Sequence, residues 1–443
     1  MKTISTITTT TKTSLLSLAI GTFFLCACSE SSQQGPSEGG WRGLERDGVY
    51  KSETGLLKSW LAEGPQLLWS VEDAGKGWSS PTIAGGKVFV TGSNEDGDKE
   101  VFSAYTLEGK NLYHIEYGHA WTGSFPSTRT TPTIVDGKAY VISGMGEVVC
   151  INTANGKIVW KVDGGKEFER KIGIWGTSEA ALVFDNKVIY SPGGSKTTVV
   201  ALDAATGKTI WQSKSLDAFG SYVSPLLINH KGKQQIVGIT GDNQLYGVNP
   251  ATGTIEWVFD DWAVERKFDK EGKIREGINC NTPLFKDGRI FVSNGYDAGS
   301  FMVELNEDTT GVKLLWRNKE FDTHIGGFVV VNGVIYGSSW IGNGDGKWLA
   351  VDWNTGVASY ETAWSEDKSK IKGSIISADG MLYIYEEKSG TVALANPNPA
   401  KFDVVSEFRI TKGSEQHWAH LVIDNGVLYV RHGEALLAFK IKD

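Results

Sequence analysis

The sequence predicts an all-β protein: an eight-bladed β-propeller of four-stranded antiparallel blades, its ring closed by the N-terminal strand. Three observations predict it. A Pro-Thr phrase followed by a glycine turn recurs along the chain, and a second phrase, strand, Thr-Gly turn, strand ending on Trp, recurs in step with it. The last unit stops one strand short, and an orphan strand precedes the first.

The first phrase runs Ser80-Pro81-Thr82-Ile83-Ala84-Gly85-Gly86-Lys87-Val88-Phe89-Val90, and returns as Thr131 to Val141 and as Asn281 to Val292. Weaker copies surround Asn186, Gly232, Gly333, Gly380 and Gly426. With Gly86, Gly137 and Gly288 these markers stand 45 to 56 residues apart, the period of propeller blades. Asp-Gly, Asn-Gly and Gly-Gly pairs between short β-branched and aromatic runs supply the positive φ angles of tight hairpin turns.

The second phrase runs from Ala201 through Thr206-Gly207 to Trp211, matched by Cys150 to Trp160 and Gly247 to Trp257. Trp316 takes the same role, and Tyr113, Tyr360 and Phe408 substitute in other units. These large rings are expected between adjacent sheets, as core. Cys150 aligns with Ala201, Gly247 and Ala350, which marks a small buried strand residue and not a nucleophile. Cys280 falls in a loop too distant from it for a disulfide.

Unit eight, 418–441, lacks a Trp strand, and Gln66-Leu67-Leu68-Trp69-Ser70-Val71 has no unit of its own. Pairing the two satisfies the edge hydrogen bonds of both. The propeller then spans 65–443, preceded by a stalk and arm, 28–64, that includes Trp41-Arg42-Gly43. Residues 1–27 read as a lipoprotein signal peptide: Lys2 and Lys12 flank an apolar stretch from Leu15 to Leu25, which ends at Leu25-Cys26-Ala27-Cys28 in the manner of a bacterial lipobox. Acylation of Cys28 is expected to tether the protein to the cell envelope, on the outer-membrane or periplasmic side, with the polar residues 29–40 as a flexible stalk.

Composition narrows the partners. The 443 residues carry 44 Lys+Arg against 52 Asp+Glu, the wrong balance for a nucleic-acid binder. With 40% apolar and 22% charged residues the chain has globular, not disordered, composition. A monomer is expected.

The two phrases resemble the pyrroloquinoline-quinone-like (PQQ-like) propeller repeat, Ala-x-Asp-x-x-Thr-Gly-x-x-x-Trp, over about 65–443. Fold is what the resemblance specifies best. Among its lipidated eight-bladed members it implies a binding or assembly scaffold of the cell envelope, with a protein or glycan partner. Among its catalytic members it implies a quinone-dependent dehydrogenase.

Residues just before each innermost strand surround one mouth of the channel. They are Trp78, Arg129, Trp175 with Glu179, Tyr222, Asn279 with Asn281, His324, Lys372, and Trp418 with His417 and His420. Such a funnel suits a planar ring or a sugar, with Trp78, Trp175, Tyr222, Asn281 and Trp418 as its binding residues. The same residues also fit a hydrated mouth whose polar groups satisfy one another.

The resemblance further implies PQQ above a Ca²⁺ held by Glu and Asn, and Glu179 and Asn281 lie in suitable units. No adjacent cysteine pair follows Cys28, however, His324 stands where an Asp base is expected, and one carboxylate with one amide falls short of the six or more oxygens Ca²⁺ takes. A carbohydrate-acting enzyme would instead use His324 or His420 as base, Tyr222 as acid and Arg129 or Lys372 to neutralise a uronic carboxylate. Two inserts, Asp163 to Gly176 and Asp260 to Gly277, extend the same face.

Overall fold

A computed structural model describes Met1, residues 39–261 and residues 278–443. The leader, Cys28, the stalk to residue 38 and most of the 260–277 insert lie outside the described residues. The chain divides into a short unit, 1–33, and a large one, 34–443, which forms the propeller.

Eight four-stranded antiparallel sheets follow one another in chain order, each built strand against next strand. Their innermost strands are Thr82–Ala84, Thr133–Val135, Leu182–Phe184, Leu226–His230, Leu284–Lys286, Phe328–Val331, Gly373–Ala378 and Val422–Asp424, which open blades 1 to 8. A two-residue turn links each to its second strand. In all eight turns both central residues have positive φ, 45–54° at the first and 55–80° at the second. This is the turn whose twist matches that of the flanking strands, and it explains why Gly, Asn and Asp occupy these sites in every blade but the fourth, where Lys231 takes the first.

The core consists of eight apolar clusters, one between each pair of neighbouring blades. The outer-strand aromatics seed them. Trp160 stands opposite Cys150, Trp211 opposite Ala201 and Trp257 opposite Gly247, each beside a bulge. A bulge turns a side chain off its pleat, and here it sends the ring into the following blade. There the Trp160 indole N–H donates to the Ala204 carbonyl at 3.0 Å, Trp211 to Pro250 at 3.1 Å and Trp316 to Trp353 at 3.3 Å. Cys150 is fully buried, as its small-residue position requires.

The ring closes as the orphan strand predicts. Gln66–Val71 pairs antiparallel with Ala435–Lys440, Trp69 opposite Ala438, and completes blade 8. Across the seam the Trp69 N–H reaches the Leu107 carbonyl of blade 1 at 2.7 Å. Arg431, fully buried on blade 8, donates to the Ser79 hydroxyl and the Thr91 carbonyl of blade 1.

The arm before the first blade, for which no repeat accounts, enters the central channel and contacts all eight blades. Gly39 pairs with Ile134 of blade 2 and packs on Ile83 of blade 1. Trp41 Nε1 donates to Thr282 Oγ1 of blade 5 at 3.1 Å. Arg42 donates to the carbonyls of Phe328 and Ile375, on blades 6 and 7, at 2.6 and 3.1 Å. Arg46 donates to Ala180, Ala181 and Pro225, which lead into blades 3 and 4. Val49–Tyr50 then adds a parallel fifth strand to blade 7, and the Tyr50 hydroxyl lies near the Leu421 carbonyl of blade 8. On the turn side of the ring, Glu53 accepts from the Asn425 and Gly426 amides at 2.7 and 3.0 Å.

Candidate functional site

Opposite those turns, a cavity of about 380 Å³ opens where the segments preceding the innermost strands converge. Trp78, Arg129, Trp175, Tyr222, His324, Lys372, Trp418 and His420 all line it. Glu179, Asn279, Asn281 and His417 do not. Trp41 lines it as well, its ring 4.6 Å from that of His420, so the arm stands at the base of the funnel, which is a cup and not an open pore.

Seven Trp, Tyr and Phe rings line the cup, Trp41 and two groups of three. Trp78 and Trp418 meet at 4.9 Å between centroids, with Phe125 5.3 Å from Trp418. Trp175 stacks on Tyr296 at 6.3 Å and lies 5.8 Å from Tyr222. Tyr296 and Glu387 escape the pattern of first-strand entries because they sit in loops after second strands, Arg289–Ser293 and Met381–Glu386, which open on the same face. The Gly295-Tyr296-Asp297-Ala298-Gly299 loop, with positive φ at Gly295, Tyr296, Asp297 and Gly299, is the signal that marks it.

The charged groups differ in how far they are committed. Lys372 forms an ion pair with Glu387 at 2.7 Å and donates to the carbonyls of Gly342, Asn343 and Asp345. Arg129 lies over the Trp78 ring, 4.9 Å from its centroid, and donates to the Phe125 and Ser127 carbonyls at 2.6 and 2.9 Å. Burial lowers it to about 10, so it stays cationic at neutral pH. No carboxylate among the described residues lies within ion-pair distance of it.

The two histidines in the lining, His324 and His420, are neutral. Nδ1 of His420 faces the Arg42 guanidinium at 2.9 Å and Nε2 faces the Ile325 carbonyl at 2.8 Å, so Nε2 carries the proton and Nδ1 accepts. Burial and the Arg42 charge push His420 down to about 3. Burial and Lys372 push His324 to about 3. Groups so shifted are weak proton acceptors near neutral pH. Cys280, also in the lining, is driven up to about 12 by burial and is inert as a thiol.

The two residues expected to hold a quinone-bound calcium, Glu179 and Asn281, turn to protein groups. Both Glu179 oxygens accept from the Ser191 amide, at 3.0 and 3.1 Å, and burial pushes that carboxyl up to about 7. The Asn281 amide is spent on the carbonyls of Ser293, Thr323 and His324, and its oxygen accepts from the Gly327 amide at 3.1 Å. One such carboxylate and one amide oxygen, neither of them in the lining of the cup, fall short of the six or more oxygens a hard cation takes. The described residues hold no group of three or more His, Cys, Asp or Glu able to bind a metal.

Among solved structures, BamB from Moraxella catarrhalis superposes with a TM-score of 0.60 at 15% identity, covering 85% of this chain and 99% of that one. A quinohemoprotein alcohol dehydrogenase of Pseudomonas putida HK5 superposes at 0.59 and 13% identity, covering 92% and 80%. Likeness at such identity speaks for the fold. In sequence, the chain is 31% identical over 109 residues to a Comamonas testosteroni quinohemoprotein alcohol dehydrogenase, 23% of this chain and 15% of that protein. It is 24% identical over 253 residues to the outer membrane protein assembly factor BamB of Moranella endobia (strain PCIT), 56% of this chain and 57% of that one. The chain thus spans well under two thirds of the curated relatives it matches. The family model described as outer membrane protein assembly factor BamB matches residues 29–163 and 118–357, and with that extent covered the chain belongs to the BamB family of PQQ-like β-propellers.

Proposed function

We propose that this protein is a binding propeller of the bacterial cell envelope, tethered through Cys28, and that its ligand is a glycan held in the cup. The observation that carries this reading is the lining itself: seven aromatic rings around a cavity of about 380 Å³. Aromatic faces receive the apolar faces of sugar rings, and a few fixed polar groups orient them. Catalysis has less support. His420 has both nitrogens engaged, and His324 is a weak base. Membership of a family described by an envelope assembly factor supports the setting.

The test is a glycan array probed with the soluble form, residues 29–443, beside its Trp175→Ala and Trp418→Ala variants. Binding to a defined set of oligosaccharides is expected, weakened roughly tenfold by each substitution at unchanged melting temperature. Absence of binding, or binding that both variants retain, would overturn it. For the tether, radiolabelled palmitate should enter the full chain and not its Cys28→Ser variant.

A further inference from the structure

Two cations line the cup, and only one of them is in an ion pair: Glu100 and Glu415 act on Arg129 from beyond ion-pair distance. Lys372 is neutralised by Glu387 at 2.7 Å and capped by three carbonyls. Arg129 has two carbonyl partners and no carboxylate partner among the described residues, so two bonds engage a guanidinium that carries five N–H donors. Those two carbonyls, both in the chain just before Arg129, fix the guanidinium against the Trp78 face.

Trp78 is 7% exposed, and its buried Nε1 has no hydrogen-bond partner among the described residues. The guanidinium and this indole belong to one cation–π pair, beside the Trp418 and Phe125 rings.

We propose that the cup reads a carboxylate: Arg129 receives it, and Trp78, Trp418 and Phe125 carry the ring, so that the glycan bound is an acidic, uronic-acid-bearing one. This deepens the glycan reading and depends on it. The opposite side, where Lys372 is already paired, contributes shape and no net charge.

The experiment is isothermal titration of residues 29–443 with a panel of uronic-acid tetrasaccharides, each compared with the same tetrasaccharide after its carboxyl groups are reduced to alcohols. The acidic form is expected to bind at least about tenfold more tightly, the size of effect a charge-assisted hydrogen bond gives, and the preference should shrink as salt rises. In Arg129→Gln the preference should vanish while weak binding of the reduced form persists; Arg129→Lys should restore part of it. Equal affinity for the two forms, or a preference that survives in Arg129→Gln, would overturn the proposal and leave the glycan reading standing. Failure of both forms to bind, when the array also stays blank, would overturn both.

Discussion

The Arg42 guanidinium lies 2.9 Å from Nδ1 of His420, inside the channel and beneath the cup. This contact joins a segment that precedes the first blade to one that leads into the last. Arg42 also holds carbonyls of blades 6 and 7, so one side chain ties three blades to the arm. Removing it as Arg42→Ala leaves those carbonyls buried and unpaired. The expected loss is on the order of 3 kcal/mol or more, read from urea unfolding. A loss below about 0.5 kcal/mol would mean that the contacts of the arm carry no stability.

Deleting residues 1–71 should cost far more than deleting 1–38. The longer deletion removes the outer strand of blade 8 and the whole insertion from Gly39 to Tyr50, while the shorter one spares both. Melting temperatures within a degree or two of each other for the two forms would contradict this.

Gly207 lies at φ +74° against the Trp160 ring, where an added Cβ would come within 2.8 Å of it. Gly207→Ala therefore combines a disfavoured backbone with a clash in the seam of blades 2 and 3. About 1–3 kcal/mol of destabilisation is expected by denaturant titration. The same change at Gly85, where a Cβ meets nothing within 4 Å, should cost less.

Acidification should act in two stages. Buried His324, His417 and His420, all held near 3, favour the folded state above the ordinary histidine range of about 6.5, and that advantage is lost as pH falls toward 3. Buried Glu100 and Glu179, raised to about 7, and Asp322, raised to about 6, work the other way: their cost to the fold fades as pH drops below those values. Between about pH 5 and 6.5 the two sets oppose each other and the urea midpoint should change little. Below about 4.5 the two glutamates are largely protonated in both states and Asp322 follows as pH nears its ordinary 3.8, while the histidines and Glu147, whose carboxylate its Lys161 and His119 partners hold down to about 2, both lose their advantage, so the midpoint should fall steeply. A midpoint that climbs on going from pH 4.5 to pH 3.5 would contradict the assignment of neutral buried histidines.

PQQ with Ca²⁺ should leave the melting temperature unchanged at saturating quinone, because the Glu179 and Asn281 side chains are already committed to protein partners. A clear upward shift, abolished in Glu179→Gln, would reopen the redox reading.

Much of the fold was legible because propeller blades are made by short-range rules. Gly86 and its counterparts mark turns that only positive-φ residues fill, and Trp160, Trp211 and Trp257 mark outer strands by their distance from those turns. Eight of the cup residues followed from the same register. Tyr296 and Glu387 did not, because their loops vary in length and carry no repeat. Glu179 and Asn281 stood at the right positions, yet their side chains turn to backbone groups, of its own blade for Glu179 and chiefly of the segment leading into the next blade for Asn281, that no spacing announces.

The amino-acid sequence alone determined the blade, its number and the strand that closes the ring, since periodic turns and alternating apolar residues act over a few residues at a time. Only the tertiary structure decided that Trp41, Arg42 and Arg46 fill the channel and convert it to a cup. Those contacts depend on carbonyls of blades far apart in the chain, which converge on the axis once the ring has closed.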